Sequence, residues 1–95
     1  MSKLSLNTRV RWAEDVLYRN LSGEAVLLSL ASSTYFGLDL VGTRIWELIG
    51  EHALLSTVLE LIRDEYDVDG AKAREDLLAL VDELVARGLV SADDD

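Results

Sequence analysis

The hydrophobic pattern changes period once, at Leu40, and that single change limits the architecture more than any other feature of the chain. Upstream of it lie three short apolar runs, VLYRNL from Val16, AVLLSL from Ala25 and TYFGLD from Thr34. Alternation within them marks strands, whose successive side chains point to opposite faces. The separators SGE and ASS leave room only for tight turns, so the runs read as a three-stranded antiparallel meander. Val26, Leu28 and Leu30 fall on one face of the second strand. Thr34, Phe36 and Leu38 fall on one face of the third, with Tyr35 and Gly37 opposite. Further upstream, Val10 and Trp12 in TRVRW have the spacing of a short additional strand.

From Leu40 the repeat is near 3.6 residues. Asp39 suits the N-cap of a first helix, whose stripe is Val41, Ile45, Leu48 and Ile49 with Trp46 on its flank. A second helix runs from about Leu54 to Tyr66, with Leu55, Val58, Leu59, Ile62 and Tyr66 on its buried side. A third starts at the Asp69 cap and stops at Gly88, placed for a left-handed C-terminal cap with Leu89 as its hydrophobic closer. This helix has two apolar lines: Ala73, Leu77, Leu80 and Leu84 as a core line, and Leu78, Val81 and Val85 rotated from it. The second line implies that something covers it. Strands followed by helices give an α+β class, and two short helices and a longer one beside a small sheet suit a winged helix-turn-helix arrangement.

Ninety-five residues suffice for one domain, read as 1–95 with its core at about 16–90 and a solvated acidic tail at 91–95. Without cysteine there is neither a disulfide framework nor a thiolate site, which points to a reducing compartment, the cytoplasm. No window approaches the roughly 20 apolar residues of a membrane span. A formal charge of −9 repels phosphate and argues against nucleic acid. The single histidine, His52, has no partners at ligand or triad spacing and reads as a helix-end residue. The carboxylates read as a solvated face, and the fragment DVDG lacks the spacing and closing Glu of a calcium loop. Gly37 and Gly42 belong to no phosphate loop. No metal, cofactor or catalytic group is expected.

Tyr35 is the residue these readings leave unplaced. It stands beside a glycine, on the parity opposite Phe36, in the last strand of the meander. An unpaired row of N–H and C=O groups there is open to a guest strand.

The run Tyr-Phe-x-Leu-Asp-x-x-Gly-x-x-Ile-Trp from Tyr35 to Trp46, the Asp67-Val68-Asp69 triplet and the Glu-Leu-x-x-x-Gly-Leu-Val run from Glu83 to Val90 resemble the PqqD family. These are small peptide chaperones, also called recognition elements of ribosomally synthesised and modified peptides. The resemblance covers roughly residues 16 to 90. It implies that a precursor's leader peptide adds as a strand against the third strand and lays side chains on the third helix. The implied peptide-binding set is Ser33, Thr34, Tyr35, Phe36, Gly37 and Leu38 on the strand, with Arg74, Leu78, Val81 and Val85 on the helix. The stand-alone length resembles the lasso-peptide version, which implies a separate leader peptidase as second partner. Two other readings compete. A winged-helix transcription regulator requires a basic recognition helix, whereas residues 69–87 carry Lys72, Arg74 and Arg87 against five carboxylates. A small enzyme requires a nucleophile, base and orienter together, and no such motif is present.

Overall fold

The junction between sheet and helices is sealed by one hydroxyl. In the computed structural model, which describes residues 4–93, strands β1 (Arg9–Trp12), β2 (Val16–Leu21), β3 (Glu24–Ser29) and β4 (Thr34–Gly37) are followed by helices α1 (Leu40–Glu51), α2 (Leu55–Glu65) and α3 (Gly70–Ala86), then strand β5 (Val90–Asp93). The Leu38 N–H donates to the Ala25 carbonyl at 2.8 Å, continuing the β3–β4 ladder one step past β4. The return bond is not made directly. Thr43, one turn into α1, accepts from the Ala25 N–H at 2.8 Å and donates to the Leu38 carbonyl at 3.4 Å. Asp39 caps the helix by accepting from the Gly42 N–H at 2.8 Å. A strand can therefore run into a helix without leaving buried backbone groups unpaired. Replacing Thr43, which is buried, by valine keeps the shape but strands both groups. Urea unfolding should show a loss of about 1–3 kcal/mol.

The meander has the order β2-β3-β4, antiparallel throughout. Its first turn places Ser22 and Gly23 at φ 59° and 93°, the left-handed pair that a two-residue hairpin turn requires. Ala25, Leu27 and Ser29 are buried under the helices. The face carrying Val26 and Leu28 looks away from them. A second sheet was only half expected: β1 pairs antiparallel with β5, and the ribbon lies against α1 and α3. Ser91–Asp93, read from the sequence as tail, form most of β5; residues 94–95 lie outside the described residues.

Trp46, placed by its spacing on the flank of α1, is instead fully buried. It stacks on Trp12 with centroids 4.9 Å apart, and Tyr18 meets both rings edge-on. The Trp12 indole N–H donates to the Trp46 carbonyl at 3.0 Å, so β1, β2 and α1 are fastened at one point. Val41, the expected start of the buried stripe, is exposed. Helix α3 ends as read, with Gly88 at φ 72°. Leu89 N–H bonds the Leu84 carbonyl and Gly88 N–H bonds the Val85 carbonyl, the paired closure of a Schellman motif. Among the described residues no helix is long and apolar enough to cross a membrane.

Candidate functional site: an open strand edge above an apolar cavity

Hydrogen-bond parity fixes which groups of β4 are free. In an antiparallel ladder, alternate residues turn both backbone groups to the same neighbour. Leu38 bonds to β3, and Phe36 and Thr34, paired with Leu27 and Ser29, share its parity. Tyr35 and Gly37 therefore direct their N–H and C=O groups to the outer edge, where no strand of the sheet lies. An added β-carbon on Gly37 would meet nothing within 4 Å.

The inner side of this edge opens into a cavity of about 680 Å³. Phe36, Gly37, Leu38 and Asp39 form one wall, and Val41, Gly42 and Ile45 of α1 form the floor. Ile62, Tyr66, Val68 and Asp69 close the end. Lys72, Ala73, Asp76 and Leu80 of α3 stand opposite β4. The spacing of Lys72, Asp76 and Leu80 keeps them on one helix face. Beyond them the Arg87 guanidinium lies 4.9 Å from the Phe36 ring centroid while holding Glu83 at 3.4 Å.

The end wall runs from the last turns of α2 into the irregular segment after it, and the end of α2 is tied to α1. Arg44 bonds both carboxylate oxygens of Glu65, at 2.7 and 3.0 Å, and also reaches Glu47 at 3.3 Å. Hydrogen bonds from Arg44, aided by its charge, hold the Glu65 carboxyl below the usual range; the Glu65 bond is likewise the main cause raising the Arg44 guanidinium. A depressed folded value means stabilisation that is full at neutral pH and disappears as the pH falls through that value. Both side chains are about a third exposed, so the increment is small. Arg44→Gln should lower the unfolding midpoint at neutral pH, with the difference from wild type vanishing under acid, as a pH series of urea melts would read.

The expected binding residues separate into three groups. On the strand, Thr34 to Leu38 form the edge; Tyr35 points outward at 71% exposure and Phe36 inward, half-buried. Ser33 sits in the preceding turn at φ 55°. On the helix the expected phase needs correction. Val81 is fully buried and belongs to the core with Ala73, Leu77 and Leu84, whereas Leu80 leaves the core line to face the cavity. Leu78 and Val85 are half-buried against the core, and Arg74 is exposed; none of the three lines the cavity. Of the second apolar line, Val81 is taken up by the core, while Leu78 and Val85 pack against it only in part. Lys72, Asp76, Leu80 and the Tyr66–Asp69 wall were not anticipated, although the four-residue spacing of the first three was a signal for them. Among the described residues no group of three His, Cys, Asp or Glu side chains is placed to hold a metal ion.

Main-chain groups along an edge beside pockets for alternate side chains are the two requirements for holding an extended peptide. This α+β domain meets both. The chain belongs to the PqqD family: the family described as Coenzyme PQQ synthesis protein D (PqqD) matches residues 24–90. It is similar to the structure titled "TbiB1 in Complex with the TbiA(beta) Leader Peptide", at 34% identity and a TM-score of 0.83, covering 90% of this chain and 99% of that one. The structure titled "Lasso peptide synthetase B1 complexed with the leader peptide" shares the fold, with 23% identity, a TM-score of 0.78 and coverage of 87% and 98%. No curated protein matches significantly.

Proposed function

We propose that the protein binds the leader segment of a ribosomally made precursor peptide, in lasso-peptide biosynthesis, and presents it to a maturation enzyme such as a leader peptidase. The observation that carries this reading is the continuity of the open β4 edge with the apolar cavity. The leader forms a fourth strand on Tyr35 and Gly37, within the Ser33–Leu38 segment, and lays inward side chains between Phe36 and the Lys72–Leu80 face of α3. Membership of the PqqD family and the likeness to a leader-bound structure support it. The protein contributes binding and no bond chemistry, and works in the cytoplasm, where precursors are made.

Hand-over to an enzyme has its own support. Leu17, Leu28 and Tyr35 are paired across the strands on the outer sheet face, and Leu17 and Tyr35 are largely exposed. An added leader strand extends this line beside Tyr35, so an enzyme docked there touches both chains. The order of helices also suits a winged helix-turn-helix description. A DNA-binding role does not follow, because two of the three cations of residues 69–87, Lys72 and Arg87, lie within 4 Å of an α3 carboxylate and the chain carries a formal charge of −9.

Titration calorimetry of the full chain against a panel of precursor leaders, including the TbiA(beta) leader, tests the proposal. One-to-one binding of at least one leader is expected. Failure of every leader, with the protein folded, would overturn it.

A further inference from the structure

The meander has two open edges, and the second is β2. The Ser22-Gly23 turn closes on the Leu21 and Glu24 pair, so Leu21, Arg19 and Leu17 bond to β3. The Leu30 N–H donates to the Asp15 carbonyl at 2.8 Å, which continues the same parity past the start of β2. Val16, Tyr18 and Asn20 therefore turn their N–H and C=O groups away from the sheet, where no strand lies. Among the described residues none of these groups has a backbone partner. At six residues this edge is longer than β4, and VLYRNL has neither the proline nor the lysine that commonly blunts an edge. Leu17, 56% exposed, stands at the end of the outer-face line that runs through Leu28 to Tyr35. Asp15 and Arg19 flank Leu17 on the same face. Both are exposed, and neither has an ion-pair partner among the described residues.

We propose that β2 pairs antiparallel with β2 of a second copy of this chain, about a two-fold axis at Leu17. In that register Val16 of each copy exchanges main-chain bonds with Tyr18 of the other. Leu17 meets its own equivalent in a non-hydrogen-bonded pair, where side chains approach most closely. Asp15 of each copy stands opposite Arg19 of the other, so the same patch complements itself, as a two-fold interface requires. Neighbouring registers lose this match. An axis at Tyr18 sets Arg19 opposite Leu17, an axis at Arg19 sets two arginines together, and an axis at Val16 sets Asp15 opposite Leu17. The overall charge of −9 opposes association, but at about 0.15 M salt it is screened beyond about 8 Å while contact pairs persist. Two three-stranded meanders then form one six-stranded sheet with a β4 edge at each end. The pairing is independent of leader binding, because β2 and β4 are opposite edges, and a single edge-to-edge contact belongs to the weak, reversible class of interfaces.

Sedimentation equilibrium of the full-length protein without peptide, in about 0.15 M salt and from about 1 μM to about 1 mM, reads the association. A reversible monomer–dimer equilibrium is expected. Arg19→Asp sets two aspartates opposite each other at both symmetric positions, and Asp15→Arg sets two arginines there. Each variant alone should dimerise about 10-fold more weakly or worse, with the circular dichroism of wild type. An equimolar mixture of the two should recover the wild-type association, because the mixed dimer faces two arginines with two aspartates. Gly37→Pro alters only the β4 edge and should dimerise as wild type does. A monomer at about 1 mM, undiminished association of the single variants, or a mixture no tighter than its components would overturn the proposal. Loss of the dimer in Gly37→Pro would also overturn it, by placing the contact at β4.

Discussion

Gly37→Pro should weaken leader binding severely while leaving the free domain folded. The Gly37 N–H faces the open edge, so proline removes no bond from the β3–β4 ladder. Proline is tolerated in strands at such edge positions. The preceding residue, Phe36, is already extended, as the residue before a proline prefers. The guest strand loses a main-chain donor, leaves a carbonyl unpaired and meets the pyrrolidine ring. A stranded carbonyl costs about 1–3 kcal/mol, so affinity should fall by roughly 10- to 100-fold or more. Gly37→Ala is the control: it keeps the N–H, its β-carbon enters open space, and it should bind normally. Circular dichroism of the free proteins and calorimetry with leader separate the effects. Loss of fold in Gly37→Pro would place its N–H within the protein's own ladder and contradict the parity.

The second large effect lies on α3. Val81→Asp puts a carboxylate at a position with no solvent exposure. Burial of an unpaired charge costs several kcal/mol, against a total stability of about 5–15 kcal/mol for a domain. The variant should be largely unfolded at 25 °C whether or not leader is present. Leu84→Ala, equally buried, should lose about 2–5 kcal/mol. Leu80→Ala, at the cavity rim of the same helix, should keep most of the stability and lose leader affinity. Denaturant melts on one axis and affinity on the other therefore separate Leu80 from Val81 and Leu84. A folded Val81→Asp with weakened binding would return Val81 to the groove.

That contrast shows where the sequence stops being readable. The strands β2 to β4 and the helices follow from period and from local chemistry: the Asp39 and Asp69 caps, the Ser22-Gly23 turn and the Gly88-Leu89 closure all have local causes. The phase of α3 has none. Residues 77, 78, 80, 81, 84 and 85 are all apolar, so the apolar arc is wider than one stripe. Which part faces inward is set by where α2 and β5 pack. Strand β5 was hidden because four residues ending in acid carry little alternation, and its partner β1 was visible only as Val10 and Trp12. The open edge was legible through Tyr35. The cavity end wall, Tyr66 to Asp69, was not, because its position depends on the Arg44–Glu65 pair bridging α1 and α2.

The central claim is that the guest becomes a strand on β4, and amide hydrogen exchange reads it residue by residue. The Phe36 and Leu38 amides face β3 and should be protected in the free protein, with the Tyr35 and Gly37 amides exchanging fast. On saturation with a leader peptide found in the panel above, Tyr35 and Gly37 should slow by roughly an order of magnitude or more while Phe36 and Leu38 change little, since local protection follows the opening free energy of each bond. Unchanged exchange at Tyr35 and Gly37 in a saturated complex, with new protection confined to other elements, would contradict the account.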